Sequence, residues 1–417
     1  MGSSGCPQVR HPHVFLGLAR TILRDRFPDV LATLTGMGIQ PPPNRSGPGM
    51  EFDAETLAVL EADDDLRMLP CRRTTFEWVM RRTVMAEAGV ELIVGRGVDG
   101  VDARSPGDGP PVVTGVRLDD GTHIAADLVV ATTGRRGDVP AWLAEHGIDV
   151  PETSNDCGVV YYSRFYRSDH DEGFGFRGGF GAGLIVGVIG ADAGTFSTTA
   201  VFDANDKELR AHLADSDRFD ATLRLLPELA DVAAVPATPI HPVHVMAGLI
   251  NRTRSFATAD GTPRVVGLMA CGDAHTCTNP AYGRGQSLAL RQAVLIADSV
   301  AEAGDLLAAG RAYEAACHEQ VEPWYHFSLL TDQMRQAAAA KRSSRGGTGD
   351  LAAVFSGAGG DPELIRTVMR VMNLLELPQA LIARMPELQA AAAARPIRPR
   401  GPKIKRPSRD DLLAVVA

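Results

Sequence analysis

Residues 264–300 constrain the fold of this 417-residue chain more than any other stretch. An apolar run at 265–271 predicts a buried strand, and a helical pattern follows at 287–300. Between them lie Asp273, a proline and several glycines. Such a loop lets the backbone approach a ligand closely, and the first N–H groups of the next helix point at whatever lies there. The stretch therefore predicts a cofactor-binding loop.

The composition is that of a soluble globular enzyme with room for two domains. The chain is 45% apolar and 22% charged, both ordinary values. Its net charge of -9 argues against a nucleic-acid-binding protein. No apolar run reaches the roughly 18 residues of a membrane span, and no signal peptide is visible. We therefore expect a cytoplasmic protein.

The six cysteines are widely scattered and include no CxxC pair. Cys271 and Cys277 flank His275, but this spacing fits no common zinc pattern, so we predict no metal site. Free thiols in a reducing cytoplasm are the favoured interpretation.

Apolar periodicity predicts alternating helices and strands in the first 150 residues. Arg10 stands just ahead of the first helix, where an anion or an electron-poor ring could be held. His11 and His13 beside it have two interpretations, capping and solvation or a catalytic role, and the first is preferred. The predicted elements are helices at 15–23, 28–36 and 74–88, a strand at 90–94, a β-meander over 98–124, a buried strand at 126–135 and a short helix at 142–147.

The pattern changes after Cys157, where strands recur between turns and predict a second, inserted sheet. The basic end of the chain, residues 395–409, is interpreted as a solvated tail in preference to a partner-binding arm. The predicted elements are strands at 158–166, 184–189 and 195–201, helical segments at 206–215 and 225–227, and helices at 306–321, 323–339, 362–377 and 378–394.

Two stretches match the GxGxxG pattern of dinucleotide-binding loops, residues 95–100 and 173–178. The first is followed by loop-forming residues, and the second leads into a β run. Neither has the strand–turn–helix context that places a pyrophosphate on a helix N-terminus, so both are rejected. The sequence thus offers a cofactor loop without a plausible site for ADP.

Four segments together resemble the class A flavoprotein monooxygenases, the para-hydroxybenzoate hydroxylase-like family. Gly272-Asp273, six residues, Pro280, two residues and Gly283-Arg284-Gly285 resemble that family's second FAD motif. Three further segments occur in the matching order. They are residues 5–11, the helix containing Arg73, Glu77 and Trp78, and the strand at 128–135 that resembles an "ATGR" strand.

The resemblance implies an α/β fold with a Rossmann-like FAD-binding domain of the glutathione-reductase type. It implies that this domain lacks its first βαβ segment, that a β-sheet substrate domain is inserted, and that the C-terminus is helical. The expected domains are the two parts of the FAD-binding domain at 1–150 and 251–310, the substrate-binding sheet at 151–250 and the helical region with its basic tail at 311–417.

The resemblance also implies FAD as the cofactor and assigns residues to it. Asp273 would hold the ribityl chain, and Gly283 and Gly285 would place N–H groups near the flavin pyrimidine edge. Pro280 would lie beside the ring, and Arg10 and Arg73 would contact the flavin or its phosphates. The implied FAD-binding residues are Arg10, Arg73, Gly134, Asp273, Pro280, Gly283 and Gly285.

The sequence departs from the family pattern in three ways. Ala131 stands where relatives often have Asp, and His275 lies one place earlier than the family histidine. The family's first strand, GxGxxG turn and helix are not seen ahead of residue 5. A misassigned start codon or a truncated form is the preferred explanation, and the rival is a remnant that folds differently or needs a partner.

The resemblance implies NAD(P)H as co-substrate and insertion of one oxygen atom from O2, by hydroxylation or epoxidation, into a small hydrophobic or aromatic molecule. It implies no obligate acid–base residue, because the flavin carries the chemistry. Tyr162, Arg164 and Tyr166 are candidates to line the substrate cavity. Alternating exposure along a strand explains these three residues equally well.

Three other functions are alternatives to a monooxygenase. A flavin-dependent halogenase shares the fold, but its Trp-x-Trp-x-Ile-Pro motif is absent around the three tryptophans of this sequence. A reductase of the geranylgeranyl-reductase type stays open, since apolar substrates suit the helical C-terminal part. A non-catalytic scaffold or partner subunit that is unable to bind FAD also stays open.

Overall fold

The computed structural model describes residues 7–41, 52–169, 176–181, 183–229, 232, 234–344, 361–394 and 407–415. The chain divides into two compact units. One, here called the sheet unit, comprises Met1–Thr83, Cys157–Leu249 and Thr331–Ala417. The other, the motif unit, comprises Val84–Asp156 and Ile250–Leu330 and contains the predicted cofactor loop.

A six-stranded antiparallel sheet is the centre of the sheet unit and confirms the predicted second sheet. Its strands are β6 (Val159–Arg167), β7 (Phe176–Gly181), β8 (Leu184–Gly190), β9 (Thr195–Asp203), β10 (Thr238–Pro239) and β11 (His244–Met246). Their order is β10-β6-β9-β8-β7, and β11 also pairs with β6.

One face of this sheet is covered by two short helices, α6 (Lys207–Leu213) and α7 (Ser216–Arg224). Helix α6 confirms the helical segment predicted at 206–215, whereas α7 lies ahead of the segment predicted at 225–227, where the structure has only the 3-10 helix Pro227–Leu229. Helices α6 and α7 bury an apolar core against alternate residues of the strands. The main contributors from the strands are Val160, Tyr162, Val186, Val188, Ala200 and Phe202, and those from the helices are Leu209, Leu213, Phe219 and Leu223.

The described end of the basic tail belongs to this same core. Helix α14 (Arg409–Leu413) buries Leu412 with the residues of α6 and α7. Arg409 forms an ion pair with Asp206 at 2.8 Å. The other residues of the predicted solvated tail, 395–406, lie outside the described residues, so the prediction is not tested for them.

The helices predicted at 15–23, 28–36, 74–88 and 362–377 are present with shifted ends, whereas the sequence pattern does not predict the helix at 54–62. The predicted helix at 378–394 is interrupted at Arg384, where Pro386 lacks the N–H that would continue the helical hydrogen bonds. The bounds are α1 (Gly17–Arg26), α2 (Pro28–Gly36), α3 (Ala54–Ala62), α4 (Arg73–Ala86), α11 (Pro362–Met372), α12 (Pro378–Ala383) and α13 (Met385–Ala394).

The motif unit contains three small sheets. The predicted meander is confirmed as β1 (Val98–Arg104), β2 (Val112–Leu118) and β3 (His123–Ala125). The predicted buried strands form a parallel pair, β4 (Val129–Ala131) with β13 (Leu268–Ala270). The third sheet has the order β14-β12-β5, with β5 (Glu152–Asp156), β12 (Ile250–Arg254) and β14 (Thr276–Cys277).

Four helices contain residues of the motif unit. They are α5 (Val139–Ala144), α8 (Gly285–Glu302), α9 (Leu306–Gln320) and α10 (Glu322–Ser344), which runs past residue 330. Helix α8 is the predicted helix after the cofactor loop, and it is confirmed. No helix among the described residues is long and apolar enough to cross a membrane.

The prediction of a strand at residues 90–94 is wrong, because this segment has no regular structure and is exposed. Ile93 is 50% exposed and Val94 is 66% exposed. An apolar run becomes a strand only when a neighbouring strand completes its hydrogen bonds. Among the described residues, no strand lies beside this segment, and β4 has a partner strand on one side only.

A buried carboxylate fastens the β8–β9 turn to the start of α4 within the sheet unit. The Asp192 carboxylate accepts hydrogen bonds from the backbone N–H and guanidinium of Arg72 and from the hydroxyl of Thr75, at 2.7–3.2 Å. Burial opposes ionisation of Asp192, but these bonds outweigh it and lower its pKa. The ion pair therefore stabilises the folded unit while Asp192 is ionised.

We expect Asp192→Ala to lower the free energy of unfolding by about 2 kcal/mol at pH 7, because Arg72 and Thr75 lose a shared buried acceptor. Because the folded-state pKa is lowered, this contribution is complete above the ordinary carboxyl pKa of about 4 and disappears as the pH falls through the folded-state value. Urea denaturation at pH 7 and at successively lower pH measures both effects. The exposed Glu319→Ala is the control, and equal losses in the two variants would contradict the assignment.

Candidate cofactor site

The chain turns sharply where β13 ends. Gly272 has φ +62°, which a residue with a side chain adopts only with strain. Its N–H donates to the side-chain oxygen of Gln292, a fully buried residue of α8, at 2.8 Å. Asp273 follows in the short 3-10 helix Gly272–Ala274. The predicted strand–Gly–Asp unit is thus held by the helix that comes after it.

Two buried arginines of β12 connect this turn with the loop after β4. Arg252 donates to the carbonyl oxygens of Arg135 at 2.8 Å and Asp273 at 3.1 Å. Arg254 donates to the carbonyl oxygens of Ala274 at 2.9 Å and Gly137 at 3.4 Å. The loops that carry Gly134 and Asp273, which are 139 residues apart in sequence, are therefore fixed to one strand.

Arg252 and Arg254 can be buried because Glu152 balances part of their charge and because most of their described contacts are hydrogen bonds to carbonyl oxygens. Glu152 on the neighbouring β5 accepts from the Nε of Arg254 at 2.9 Å and lies 3.6 Å from the Nε of Arg252. Guanidinium groups are suited to this role because their planar forks can serve several acceptors at once.

The same strand also positions the proline segment of the loop. Asn251, a fully buried residue of β12, accepts a hydrogen bond from the N–H of Asn279 at 2.7 Å. Asn279 in turn caps the 3-10 helix Pro280–Tyr282 by accepting from the N–H of Ala281 at 3.0 Å. Gly283 then adopts a left-handed conformation with φ +67°, and α8 begins at Gly285.

Arg284 anchors this turn in the interior of the motif unit. Its side chain is buried and lies against the rings of Tyr282, Trp324 and Phe327, with 4.7–5.4 Å between the guanidinium carbon and the ring centroids. It also donates to the hydroxyl of Ser328 at 2.7 Å. Cation–π contacts of this kind fix the position of the loop, so Arg284 has a positioning role between the two glycines.

The N-terminus of α8 has polar groups that the protein itself leaves unsatisfied. The first N–H groups of an α-helix have no intrahelical acceptor. Ser287 in the first turn is fully buried, and its hydroxyl has no hydrogen-bond partner among the described residues. The Thr278 hydroxyl, buried in the same loop, also has no hydrogen-bond partner among the described residues. Buried polar atoms are normally paired, so this region suits a ligand with hydrogen-bonding atoms.

The thiols near the loop are protonated at neutral pH. Burial and the neighbouring carboxylate of Asp273 raise the pKa of Cys277 well above its ordinary value. Burial raises the pKa of Cys271 to about 11. No cluster of three or more metal-ligating side chains occurs in the described part of the chain. The chemistry of this site is therefore that of backbone donors, one carboxylate and hydroxyl groups.

The remaining predicted FAD contacts, Arg10 and Arg73, belong to the sheet unit. Arg10 is exposed at the end of the 3-10 helix Pro7–Arg10. Arg73 donates to Glu77 at 2.6 Å and lies 3.2 Å from Nε2 of His13. Burial and the Arg73 charge lower the pKa of His13 to about 3, so this imidazole is neutral at pH 7. The predicted contacts of both arginines with flavin remain predictions.

Tyr162, Arg164 and Tyr166 occupy the helix-covered face of the large sheet. The Tyr162 hydroxyl donates to the Arg210 carbonyl oxygen at 2.9 Å. Arg164 and Tyr166 both bind the carboxylate of Asp220 on α7, at 2.7 and 2.5 Å. These contacts fix the helices to the sheet, and they favour the alternative of strand alternation over a lining of the substrate cavity.

Sequence reasoning missed the residues of β12. Their signal was present as Asn251, Arg252 and Arg254 in one short strand, since residues two apart on a strand face the same side. Two arginines on one face of a strand buried among loops indicate carbonyl groups that need donors. The predicted Gly134, Asp273, Pro280 and Gly283 lie in the connecting segments of the motif unit, and Gly285 is the first residue of α8. Strand β12 donates to or accepts from three of these segments.

We expect Arg254→Lys to lower the free energy of unfolding by about 2 kcal/mol, because an ammonium group cannot reach both loop carbonyls and Glu152 together. Urea denaturation is the measurement, and the exposed Arg311→Lys is the matched control. Equal stability of Arg254→Lys and the wild-type protein would show that β12 does not brace the two loops.

Comparison with known proteins gives the fold. No family profile matches the sequence. Protein Rv3254 of Mycobacterium tuberculosis is 27% identical over 344 residues, which are 72% of this chain and 66% of that protein. The chain therefore matches about two thirds of the length of this curated relative.

Solved structures of flavin-dependent enzymes share the architecture. PqsL of Pseudomonas aeruginosa, described as a probable FAD-dependent monooxygenase, aligns with a TM-score of 0.59 and 16% identity over 79% of this chain and 89% of its own. The flavin-dependent brominase Bmp2 aligns with a TM-score of 0.58 and 16% identity over 91% and 90%. These likenesses confirm the fold of FAD-dependent monooxygenases that the sequence motifs predicted, and at such low identity they establish the fold alone.

Proposed function

We propose that this protein is a FAD-dependent monooxygenase that uses NAD(P)H and O2 to insert one oxygen atom into a small hydrophobic or aromatic molecule. The observation that carries the proposal is the pair of loops after β4 and β13, which β12 and α8 hold in place. These loops bear Asp273, Gly134 and Pro280, residues that the resemblance to the class A flavoprotein monooxygenases assigns to the flavin. A structure of PqsL with 2-aminobenzoylacetate shows that this fold accommodates small aromatic molecules.

The residues present fit the flavin half of FAD. Asp273 would bind the hydroxyls of the ribityl chain, and the backbone N–H groups at Gly283 and Gly285 would face the pyrimidine edge. The positive end of the α8 dipole would favour negative charge there, which the reduced ring carries. The Ser287 and Thr278 hydroxyls, which have no partner among the described residues, could then be satisfied by the bound cofactor. FAD supplies the redox and oxygen chemistry when bound, and these residues bind and orient it.

The adenosine half of FAD has no comparable site among the described residues. The GxGxxG match at 95–100 runs directly into β1 and precedes no helix. Residues 173–175 of the second match lie outside the described residues, and residues 176–178 begin β7. Affinity for FAD in the chain as given would therefore rest on the flavin half, which makes the cofactor affinity the first property to measure.

The brominase shares the fold but does not favour a halogenase here. The fold sets the position of the flavin ring, and the residues around it decide how its oxygen chemistry is used. The Trp-x-Trp-x-Ile-Pro motif of halogenases is missing from this sequence. Oxygen transfer to the organic substrate is therefore the preferred reaction.

We expect the purified chain to quench the fluorescence of added FAD in a saturable titration. Asp273→Ala is expected to weaken this binding roughly 10- to 150-fold, since a charge-assisted hydrogen bond to the ribityl chain is worth roughly 1.5–3 kcal/mol. The exposed Asp127→Ala should bind FAD like the wild-type protein. A wild-type chain that neither contains nor takes up FAD would contradict the enzyme function and favour the non-catalytic alternative.

A FAD-loaded preparation then tests the reaction itself. We expect NADPH or NADH to be consumed faster when a small aromatic compound is present, and the product mass to increase by one oxygen atom derived from O2. Reduction of an added alkene substrate without oxygen uptake would instead support the reductase alternative.

A further inference from the structure

The turn that carries Asp273, residues 270–275, packs closely against the start of α8. A Cβ atom at Gly272 would lie 3.4 Å from the Cβ of Ala289 on α8, and one at Gly285 would lie 4.0 Å from a carboxylate oxygen of Asp273. Asp273 is partly exposed and Gly285 is exposed. The Asp273 carboxylate is therefore open to a ligand beside the first residue of α8, and its position depends on how the turn is held.

Tyr313 of α9 binds the residue that enters this turn. Its hydroxyl donates to the carbonyl oxygen of Ala270 at 2.6 Å, and its side chain is fully buried. The N–H of Cys271 donates to β4, so the backbone groups of Ala270, which alternate with it, point to the opposite edge of β13. Among the described residues, no strand pairs with β13 on that edge. The Tyr313 hydroxyl therefore replaces the donor that a neighbouring strand would supply.

Helix α9 also contacts the residue that leaves the turn. The rings of Tyr313 and His275 are 6.1 Å apart in an edge-to-face arrangement, and a carboxylate oxygen of Glu314 lies 3.5 Å from Nε2 of His275. The N–H of His275 donates back to the carbonyl oxygen of Gly272 at 3.0 Å and closes the turn. Helix α9 therefore contacts the chain on both sides of Asp273.

A buried amide of α8 holds the middle of the turn. The side-chain nitrogen of Gln292 donates to Sγ of Cys317 on α9 at 3.8 Å. This contact orients the amide so that its oxygen accepts from the N–H of Gly272. Burial raises the pKa values of Cys317 and Tyr313 well above their ordinary values, so both groups are protonated near pH 7. The hydrogen bonds of Gln292 and Tyr313 to the turn are therefore formed by uncharged groups.

We propose that Tyr313 and Gln292 are positioning residues for the cofactor, which act by fixing the Asp273 carboxylate at the start of α8. Both side chains are fully buried, so they act through the turn and not by contact with a ligand. A carboxylate that is held in its binding geometry before the ligand arrives loses less conformational freedom on binding, and the affinity rises accordingly. The inference rests on the proposed function for identifying the ligand as FAD, although the fixed turn is a property of the chain alone.

Tyr313→Phe tests the inference because it removes the hydroxyl and keeps the ring. In hydrogen–deuterium exchange of the full chain without FAD, the amides of residues 271–275 are expected to exchange about 5-fold faster, which corresponds to the loss of one neutral hydrogen bond. In a fluorescence titration, the affinity for FAD is expected to fall about 3- to 10-fold.

Two further variants keep the test decisive. Tyr162→Phe is the matched control, because it removes a buried hydroxyl that donates to a backbone carbonyl in the sheet unit at 2.9 Å. It should leave the exchange of residues 271–275 and the affinity for FAD unchanged. Gln292→Met removes the acceptor for Gly272 and should reproduce both effects of Tyr313→Phe, so the test holds even where one of the two variants folds poorly.

A double variant shows whether Tyr313 acts through Asp273. If it does, Tyr313→Phe weakens FAD binding in the wild-type background and has no further effect in Asp273→Ala. A general loss of stability would instead weaken binding in both backgrounds. Independent losses that multiply in the double variant, unchanged FAD affinity in Tyr313→Phe, or an equal loss in Tyr162→Phe would overturn the inference.

The two measurements separate this inference from the proposed function. A wild-type chain that binds no FAD contradicts the proposed function, and the exchange of residues 271–275 still decides whether Tyr313 and Gln292 fix the turn. A chain that binds FAD equally well with and without the Tyr313 hydroxyl refutes the positioning role alone.

Discussion

The candidate cofactor site depends on the hydrogen bonds from Arg252 and Arg254 to backbone carbonyl groups. A backbone carbonyl buried in the loops after β4 and β13 without a donor would be costly. Two guanidinium groups on one short strand satisfy carbonyls of both loops, and Glu152 offsets part of their charge. These hydrogen bonds fix the positions of Gly134 and Asp273. The position of the α8 N-terminus is fixed by the hydrogen bond of Asn251 to Asn279 and by the contacts of Arg284 with three aromatic rings.

The large sheet of the other unit uses its two faces differently. On one face, Tyr162, Tyr166 and their neighbours are fixed by α6 and α7, so these side chains stabilise the unit. On the opposite face, Val159, Val201 and Ile185 pack into a second apolar cluster, and the buried Ser163 hydroxyl lies 2.7 Å from Nδ1 of His11. Both faces of the sheet therefore stabilise the unit.

Much of this organisation was accessible from the sequence because it depends on local patterns. The strand before Asp273, the helix after Gly285, the meander and the inserted sheet all follow from apolar periodicity and turn residues. The failures occurred where non-local contacts decide. The apolar residues 90–94 lack a neighbouring strand among the described residues, so they form none. The role of Tyr162, Arg164 and Tyr166 in lining a substrate cavity remains a prediction, because which face of the sheet α6 and α7 cover depends on non-local contacts that one sequence does not specify.

The central claim is that the loops after β4 and β13, together with the start of α8, bind the flavin part of FAD. Hydrogen–deuterium exchange of the full chain with and without saturating FAD tests it directly. FAD is expected to slow amide exchange in residues 132–137 and 283–287, while the β1–β2 meander exchanges as before. Unchanged exchange in both loop segments at saturating FAD would contradict it.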